Sequence, residues 1–305
     1  MPAATSPASP APRLRGKPLP ADALPFAPSA ARPLRVRARR LAADTQIAPH
    51  SHAWAQVAYS LTGVMRVTAD SQTYLVPPSR AVWIPPTVEH VVTVVEDADL
   101  RTLYLHQDSG HDGPTGLARP AGAAPPDAGT WQRCRVLEVS ALLREAVTEL
   151  HLLHQQLEQH APPGLPWPAS PASPREQLLV ALIQDELSRA RTLPLGVSLP
   201  ADKRLRRLCE SVLDDPARHG TLEGWSREAG ASPRTVARLF RRELGTTFAE
   251  WRLQVLLAKA LLLAARKRPM SLIAAELGYA SPSAFTAMVR RSVGQPPSRF
   301  FASTP

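Results

Sequence analysis

The chain has 305 residues, with 36 Lys and Arg against 26 Asp and Glu, a formal net charge of +10. At 44 % hydrophobic residues it can build cores, which excludes a wholly disordered chain, and its length favours two domains over one mini-protein. No apolar run reaches the roughly 18 residues of a membrane-spanning helix, and the N-terminus lacks the apolar core of a signal peptide. Two distant cysteines, Cys134 and Cys209, with no metal-ligand spacing, point to reduced thiols in a cytoplasmic protein.

Charge and proline divide the chain. Residues 1–30 hold eight Pro and eight Ala, so residues 1–33 are expected to form a disordered arm. Residues 1–49 carry eight basic and two acidic residues, net +6, and residues 50–200 carry ten and fifteen, net −5. Residues 201–305 carry eighteen and nine, net +9. A basic, helical end beside an acidic middle suits two modules, the basic one facing a polyanion such as nucleic acid. A solvated basic surface is the plainer alternative.

Residues 34–105 alternate short runs rich in Val, Tyr, Thr and Leu with turn signals such as Gly63, Pro77-Pro78, Pro85-Pro86 and Glu96-Asp97. The runs fall at 56–59, 64–69, 73–76, 81–84, 91–95 and 100–105, which predicts an all-β sandwich or barrel. Residues 108–130 are Gly-, Pro- and Ala-rich and predict a loop. From Val136 the period becomes helical, and 138–160 is expected to be an amphipathic helix starting at Glu138 or Ser140. Six prolines within 161–174 end it, and a second helix is expected at 175–190. The pair either covers the β module or forms a homodimer seam. Residues 193–200 predict an extended connector.

Beyond Asp202 the pattern is helical throughout, with helices expected at 221–229, 233–244, 247–265, 272–277 and 282–292. Two segments here repeat at an offset of 49: Gly230-Ala231-Ser232-Pro233 through Arg241-Arg242 to Gly245, and Tyr279-Ala280-Ser281-Pro282 through Arg290-Arg291 to Gly294. In each, a serine caps a helix whose first turn holds proline, just after a helix that ends near glycine. That is a helix–turn–helix. One copy is often only a packed corner; two copies joined by a helix with its own capping box (Thr247 to Glu250) are harder to obtain by packing alone. A rigid joining helix would set two readers about one DNA turn apart, roughly 34 Å.

Residues 202–303 resemble the DNA-binding domain of the AraC/XylS family of transcription regulators. The carrying residues are 222–229, 232–240, Gly245, Phe248, Trp251-Arg252, Ala260, Leu263, Ile273-Ala274, Leu277-Gly278-Tyr279, 281–285, Gly294 and Pro296-Pro297. The resemblance implies a seven-helix domain with two recognition helices. Arg234, Thr235 and Arg238 would read bases from the first, and Ser283 and Thr286 from the second. Ala287 has no donor there, so the second helix would act by methyl contact or phosphate anchoring. Arg241, Arg242, Arg290, Arg291, Ser232 and Ser281 would meet phosphates.

The β module has a second pattern: His50-Ser51-His52, then Gln56, Gly63, and His90 after Pro85-Pro86. With 55–59, Pro77-Pro78, 80–85 and 103–105 it resembles the cupin sensor domain of a subgroup of these regulators. In cupins the first motif supplies two histidines and a carboxylate and the second another histidine; here Gln56 stands in place of the acid. His50, His52 and His90 would ligate a divalent metal, or with Trp54, Gln56 and Tyr59 line an effector pocket. Trp83, in an apolar run, is expected in the core. His151 and His154 lie one turn apart on the 138–160 helix, as a solvated face or a two-point metal site.

The expected fold class is α+β in two domains: an N-terminal cupin-like β-barrel with a helical linker, and an all-α domain with two helix–turn–helix motifs. The boundaries are 1–33 (arm), 34–110 (sensor), 111–200 (loop, linker helices and hinge) and 201–305 (DNA-binding domain). The expected partners are double-stranded promoter DNA, a small-molecule or metal effector, RNA polymerase and a second copy of the chain, with no membrane. No covalent chemistry is required. The rivals are a metal-dependent cupin enzyme with a DNA tether, against which Gln56 counts, and an effector-independent architectural DNA-binding protein.

Overall fold

The computed structural model describes residues 18–70, 72–78, 80–107, 113–114, 131–160, 171–193 and 196–301. Most of the loop expected at 108–130, most of the proline-rich hinge, and the arm before residue 18 lie outside the described residues. Two antiparallel sheets form the N-terminal module. Its strands are β1 (Leu34–Leu41), β2 (Gln46–His50), β3 (Ala55–Ser60), β4 (Met65–Ala69), β5 (Gln72–Val76), β6 (Arg80–Ile84), β7 (His90–Val94), β8 (Ala98–Leu105) and β9 (Arg135–Glu138). Helices α1 (Ala141–Gln159) and α2 (Pro174–Arg189) follow, then the short β10 (Thr192–Leu193) and β11 (Gly196–Ser198).

One sheet runs β1-β8-β3-β6-β9-β10 and the other β11-β5-β4-β7-β2. Strand β3 is buried along its whole length, because one face meets the barrel interior and the other is covered by α1. Strands β4 and β7 alternate buried and half-buried residues, as strands with one covered face do. Pro49 falls in β2, an edge strand, where its missing N–H breaks no inner ladder.

Four expectations change. Residues 18–33 are not a free arm: Leu19 N–H donates to Gln46, Ala48 N–H donates back to Leu19, and Leu24–Phe26 form a 3-10 turn. The apolar Leu19 and Phe26 and the carbonyls of 20–22 find partners on β1 and β2, which composition alone does not reveal. The sensor does not end at 110, because β9, β10 and β11 complete both sheets from beyond the loop. Val136 and Leu137 belong to β9, and the helix starts after it with Ser140 as its cap, accepting from Leu143 N–H. The connector at 193–200 supplies β10 and β11 rather than running free, since pairing satisfies its backbone groups.

The C-terminal module has seven helices among the described residues: α3 (Lys203–Asp214), α4 (Leu222–Glu228), α5 (Pro233–Leu244), α6 (Phe248–Ala265), α7 (Met270–Glu276), α8 (Pro282–Val293) and α9 (Pro297–Phe300). Their caps are those expected: Ser232, Thr247 and Ser281 each accept a backbone N–H from the first turn, and the Thr247–Glu250 capping box is formed.

Two apolar cores organise the whole. One unites Val197 and Leu199 with α3, α4, α5 and the start of α6 (Trp225, Phe240, Trp251). The other joins the barrel to the rest of α6 and to α7, α8 and α9 (Leu261, Ile273, Phe285, Phe300). Polar links tie the barrel to helices of both cores. Arg80 donates to the Phe300 carbonyl at 3.3 Å, Arg66 pairs with Asp214 at 3.5 Å, and Arg266 pairs with Glu96.

Candidate functional site

His50 ends β2 and His90 begins β7, and these two residues face each other in the strand pairing. His52 follows in the connection to β3. The three rings gather with centroids 4.1, 5.2 and 6.0 Å apart, and one ring nitrogen of each lies within 4.8 Å of the others. Each Nδ1 lies against a backbone carbonyl: His50 on Ala48 at 2.8 Å, His52 on Trp54 at 2.7 Å and His90 on Val88 at 3.0 Å. The carbonyls fix the proton on Nδ1 and leave a lone pair on each Nε2, the outer-shell arrangement of a metal-ligating histidine.

Burial reinforces that state. It pulls the His90 pKa down to about 3 and the His50 pKa below its usual value, with His52 adding like-charge repulsion, so both rings are neutral at pH 7. His90 Nε2 is buried without a hydrogen-bond partner among the described residues. The Gln56 side-chain amide lies at hydrogen-bond distance from His52 Nε2, 2.9 Å, which places it beside the three rings. The donor set, three imidazoles and one amide oxygen, fits a divalent first-row metal with water completing the shell.

Of the expected pocket residues, Trp54 joins this cluster, stacked on His52 with centroids 5.0 Å apart. Tyr59 does not. Side chains alternate along β3, so Gln56 faces the interior while Tyr59, an odd number of residues away, points to the other face. There it is buried near Arg101 and the Arg144 and Glu145 of α1. Trp83 is on that outer side too, edge-on to Trp131 in the core, as expected.

The interior has lining that sequence reasoning passed over. Arg37 and Arg39 of β1 and Thr102 and Tyr104 of β8 share it with His50 and Gln56, leaving a cavity of about 10 Å³, room for a single water. The signal was present as Arg35-x-Arg37-x-Arg39: charges two apart on a strand share one face.

The His151–His154 pair is neither a solvated face nor a two-point site. His154 is buried, its Nε2 3.4 Å from the buried Glu176 of α2, which also lies 3.5 Å from Arg32. The helix turns His154 toward α2, against the Glu176 carboxylate. Burial pushes the Cys134 thiol up to about 12 and the Cys209 thiol higher still; both are free and unreactive at neutral pH.

The two helix–turn–helix units are built by the same bonds. Each first helix closes with a left-handed glycine, Gly230 (φ 63°) or Gly278 (φ 79°), and the next N–H reaches back five residues, Ala231 to Ser226 and Tyr279 to Ala274. The equivalent of Gly230 is therefore Gly278, not Tyr279, and the second turn is one residue longer before its capping serine. Each second helix ends alike, Gly245 N–H on Arg241 and Gly294 N–H on Arg290.

Arg234, Arg238, Arg241 and Arg242 form one exposed stripe on α5, and Ser283, Ala287, Arg290 and Arg291 one on α8. Arg242 pairs with Glu243 at 2.8 Å, whereas Arg234, Arg238, Arg241, Arg290 and Arg291 make no ion pair among the described residues. Thr235 and Thr286 are half-buried, and the Thr235 hydroxyl is tied to Ser232 at 2.8 Å. The hydroxyls of Ser232 and Ser281 serve as helix caps. Between the units lies a groove of about 610 Å³ that takes Ala237 and Arg241 from α5 and Met288 and Arg291 from α8. The two second helices thus open onto a common face.

A family model for an AraC-like ligand binding domain matches residues 35–163, and one for a helix-turn-helix domain matches residues 225–303. The HTH-type transcriptional regulator NimR of Escherichia coli K12 is 28 % identical over 253 residues, 83 % of this chain and 81 % of that protein. RipA, an HTH-type transcriptional regulator of Corynebacterium glutamicum, is 33 % identical over 102 residues, covering 33 % of this chain and 31 % of its own. The arabinose operon regulatory protein of Salmonella typhimurium is 27 % identical over 130 residues, 41 % of this chain and 46 % of its own. Among the described residues no helix is long and apolar enough to cross a membrane. With its barrel and its paired helix–turn–helix units each matched in place, the chain belongs to the AraC family of DNA-binding transcription regulators.

Proposed function

We propose that the chain is an effector-responsive regulator that binds promoter DNA with α5 and α8 in successive major grooves and activates transcription through RNA polymerase. The observation that carries the DNA reading is the shared groove: two helices with matched caps turn Arg241 and Arg291 onto one face, with Arg234, Arg238 and Arg290 in no ion pair among the described residues. Arg234 and Arg238 read base edges from the first half of α5. Arg241, Arg242, Arg290 and Arg291 anchor phosphates, and α8 adds Ser283 and Thr286. Ser232 and Ser281 meet phosphates only through their capped helix ends.

The effector enters the barrel. His50, His52 and His90 would hold a divalent metal there, with Gln56 beside it and Trp54 as a wall. The metal would supply a Lewis-acid anchor for an electron-rich ligand; the three carbonyls on Nδ1 keep the imidazoles oriented. Leu142 and Leu152 of α1 and Leu178 of α2 stay exposed, Leu178 to 73 %, which supports a seam for a second copy.

The test is a promoter-reporter and footprinting pair on the chain's own upstream region. Replacing His50 and His52 together by Ala is expected to abolish the effector response while leaving the footprint at the same protein concentration. A wild-type response would move the effector site out of the barrel.

A further inference from the structure

Arginine is an unusual lining for the interior of a barrel. The pleat of β1 places Arg37 and Arg39 inward, beside His50, Gln56, Thr102 and Tyr104. Among the described residues that line the cavity there are two guanidinium groups and no carboxylate. Both charges reach to residues 20–22 at the barrel's end. Arg37 donates to the carbonyls of Ala21 (2.6 Å) and Asp22 (2.7 Å), and Arg39 donates to those of Ala21 (3.2 Å) and Pro20 (3.5 Å). The Asp22 carboxylate lies 3.6 Å from Arg37 and is itself mostly exposed.

We propose that Arg37 and Arg39 are the recognition pair for a small organic carboxylate, and that the carbonyls of Ala21 and Asp22 occupy this pair until such a ligand displaces them. The inference rests on reading the barrel as the sensor and names the chemistry of what it senses. Three observations carry it. A carbonyl is a weaker partner for guanidinium than a carboxylate, since a bond charged on both sides is roughly twice as strong as a neutral one. The chain already sets a carboxylate, Asp22, against Arg37. And Asp22 is held left-handed (φ 47°), a strained conformation for a residue with a side chain, which release would relax. Burial, with Arg37 alongside, lowers the Arg39 pKa, as befits a cation short of an anionic acceptor. With residues 20–22 in place the cavity is only about 10 Å³, so a ligand must move them.

The test uses the full chain without DNA. Benzoate, its neutral amide benzamide and inorganic phosphate are titrated calorimetrically, and amide hydrogen exchange is followed at Leu19 and Ala48, whose N–H groups bond across to and from β2. Benzoate is expected to bind at millimolar concentration or below, and benzamide and phosphate not. Exchange at Leu19 and Ala48 should accelerate as benzoate binds. Asp22→Asn, at an exposed site, should tighten benzoate several-fold by weakening the internal competitor. Arg37→Gln should weaken it at least about tenfold. Equal binding of benzamide, preference for phosphate, no benzoate binding to wild type and Asp22→Asn alike, or unchanged exchange on binding would each overturn the proposal. A failed promoter response with benzoate binding intact would instead refute only the sensor reading.

Discussion

The sharpest physical claim concerns His90, which the fold holds neutral. Its folded pKa of about 3 lies far below the 6.5 of an unperturbed imidazole, because burial costs the charged form and His50 and His52 add repulsion. Above pH 6.5 the ring is neutral in both folded and unfolded chains and the shift has no effect on stability. As pH falls below 6.5 the unfolded chain takes up a proton that the folded chain refuses, so stability drops until the pH reaches about 3. One unit below the unfolded value, near pH 5.5, the loss from this single group is about 1.4 kcal/mol. His50 shifts in the same direction and adds to it. Urea unfolding followed by circular dichroism, with a chelator present, at about pH 7.5 and about pH 5.5 measures the effect. His90→Gln keeps a polar side chain and removes the titration; carboxylates contribute equally to both proteins and cancel. The wild type should lose about 1.4 kcal/mol more than the variant on acidification. Identical losses would show that His90 titrates normally, and the account of a neutral, buried Nε2 would fall with it.

Arg238→Ala should cost about 1–3 kcal/mol on the cognate site and relax one base preference in a binding-site selection; an equal loss on all sequences would reduce Arg238 to a phosphate contact. Replacing Arg290 and Arg291 together by Ala should weaken binding to every sequence and lower the salt slope by about 2, read from a salt titration of the affinity. Gly245→Ala should destabilise by about 1 kcal/mol in thermal unfolding. Nothing lies within 4 Å of an added Cβ there, so the cost is purely that of φ 64°, and a neutral result would mean the chain relaxes out of the left-handed turn.

The helical module was legible almost residue by residue because its signals are local. Ser232, Thr247 and Ser281 announce helix starts and Gly245 and Gly294 announce ends, through bonds spanning three or four residues. Even there, the repeat at offset 49 hid a one-residue difference, because a left-handed glycine is fixed by backbone angle and not by matching letters. The barrel was legible in kind but not in extent. Strand β9 pairs with β6 across a long gap in sequence, and four residues of Arg-Val-Leu-Glu beside a helix look like its first turn. The histidine cluster could be foreseen from spacing, since His50 ends and His90 begins strands that pair. Tyr59 could have been excluded by the same alternation that assigned Gln56, and Arg37 and Arg39 included by it. His154 could not: its acid partner, Glu176, lies on another helix.

The chemical division of labour between sensing and reading does not coincide with the division of the cores. The unit carrying α5 has a core of its own, whereas the unit carrying α8 shares one with the barrel. Local opening follows such cooperative blocks and not domain names. An event that stabilises the barrel is therefore felt at α8 through a shared core, and at α5 through β11, the Arg66–Asp214 pair and α6. A fragment cut at residue 201 would strip the α8 unit of part of its core while leaving most of the α5 core intact. The two readers, alike in the serine and glycine caps of α5 and α8, thus differ in what holds them: the α5 unit packs a core with β11, and the α8 unit shares the core of the barrel.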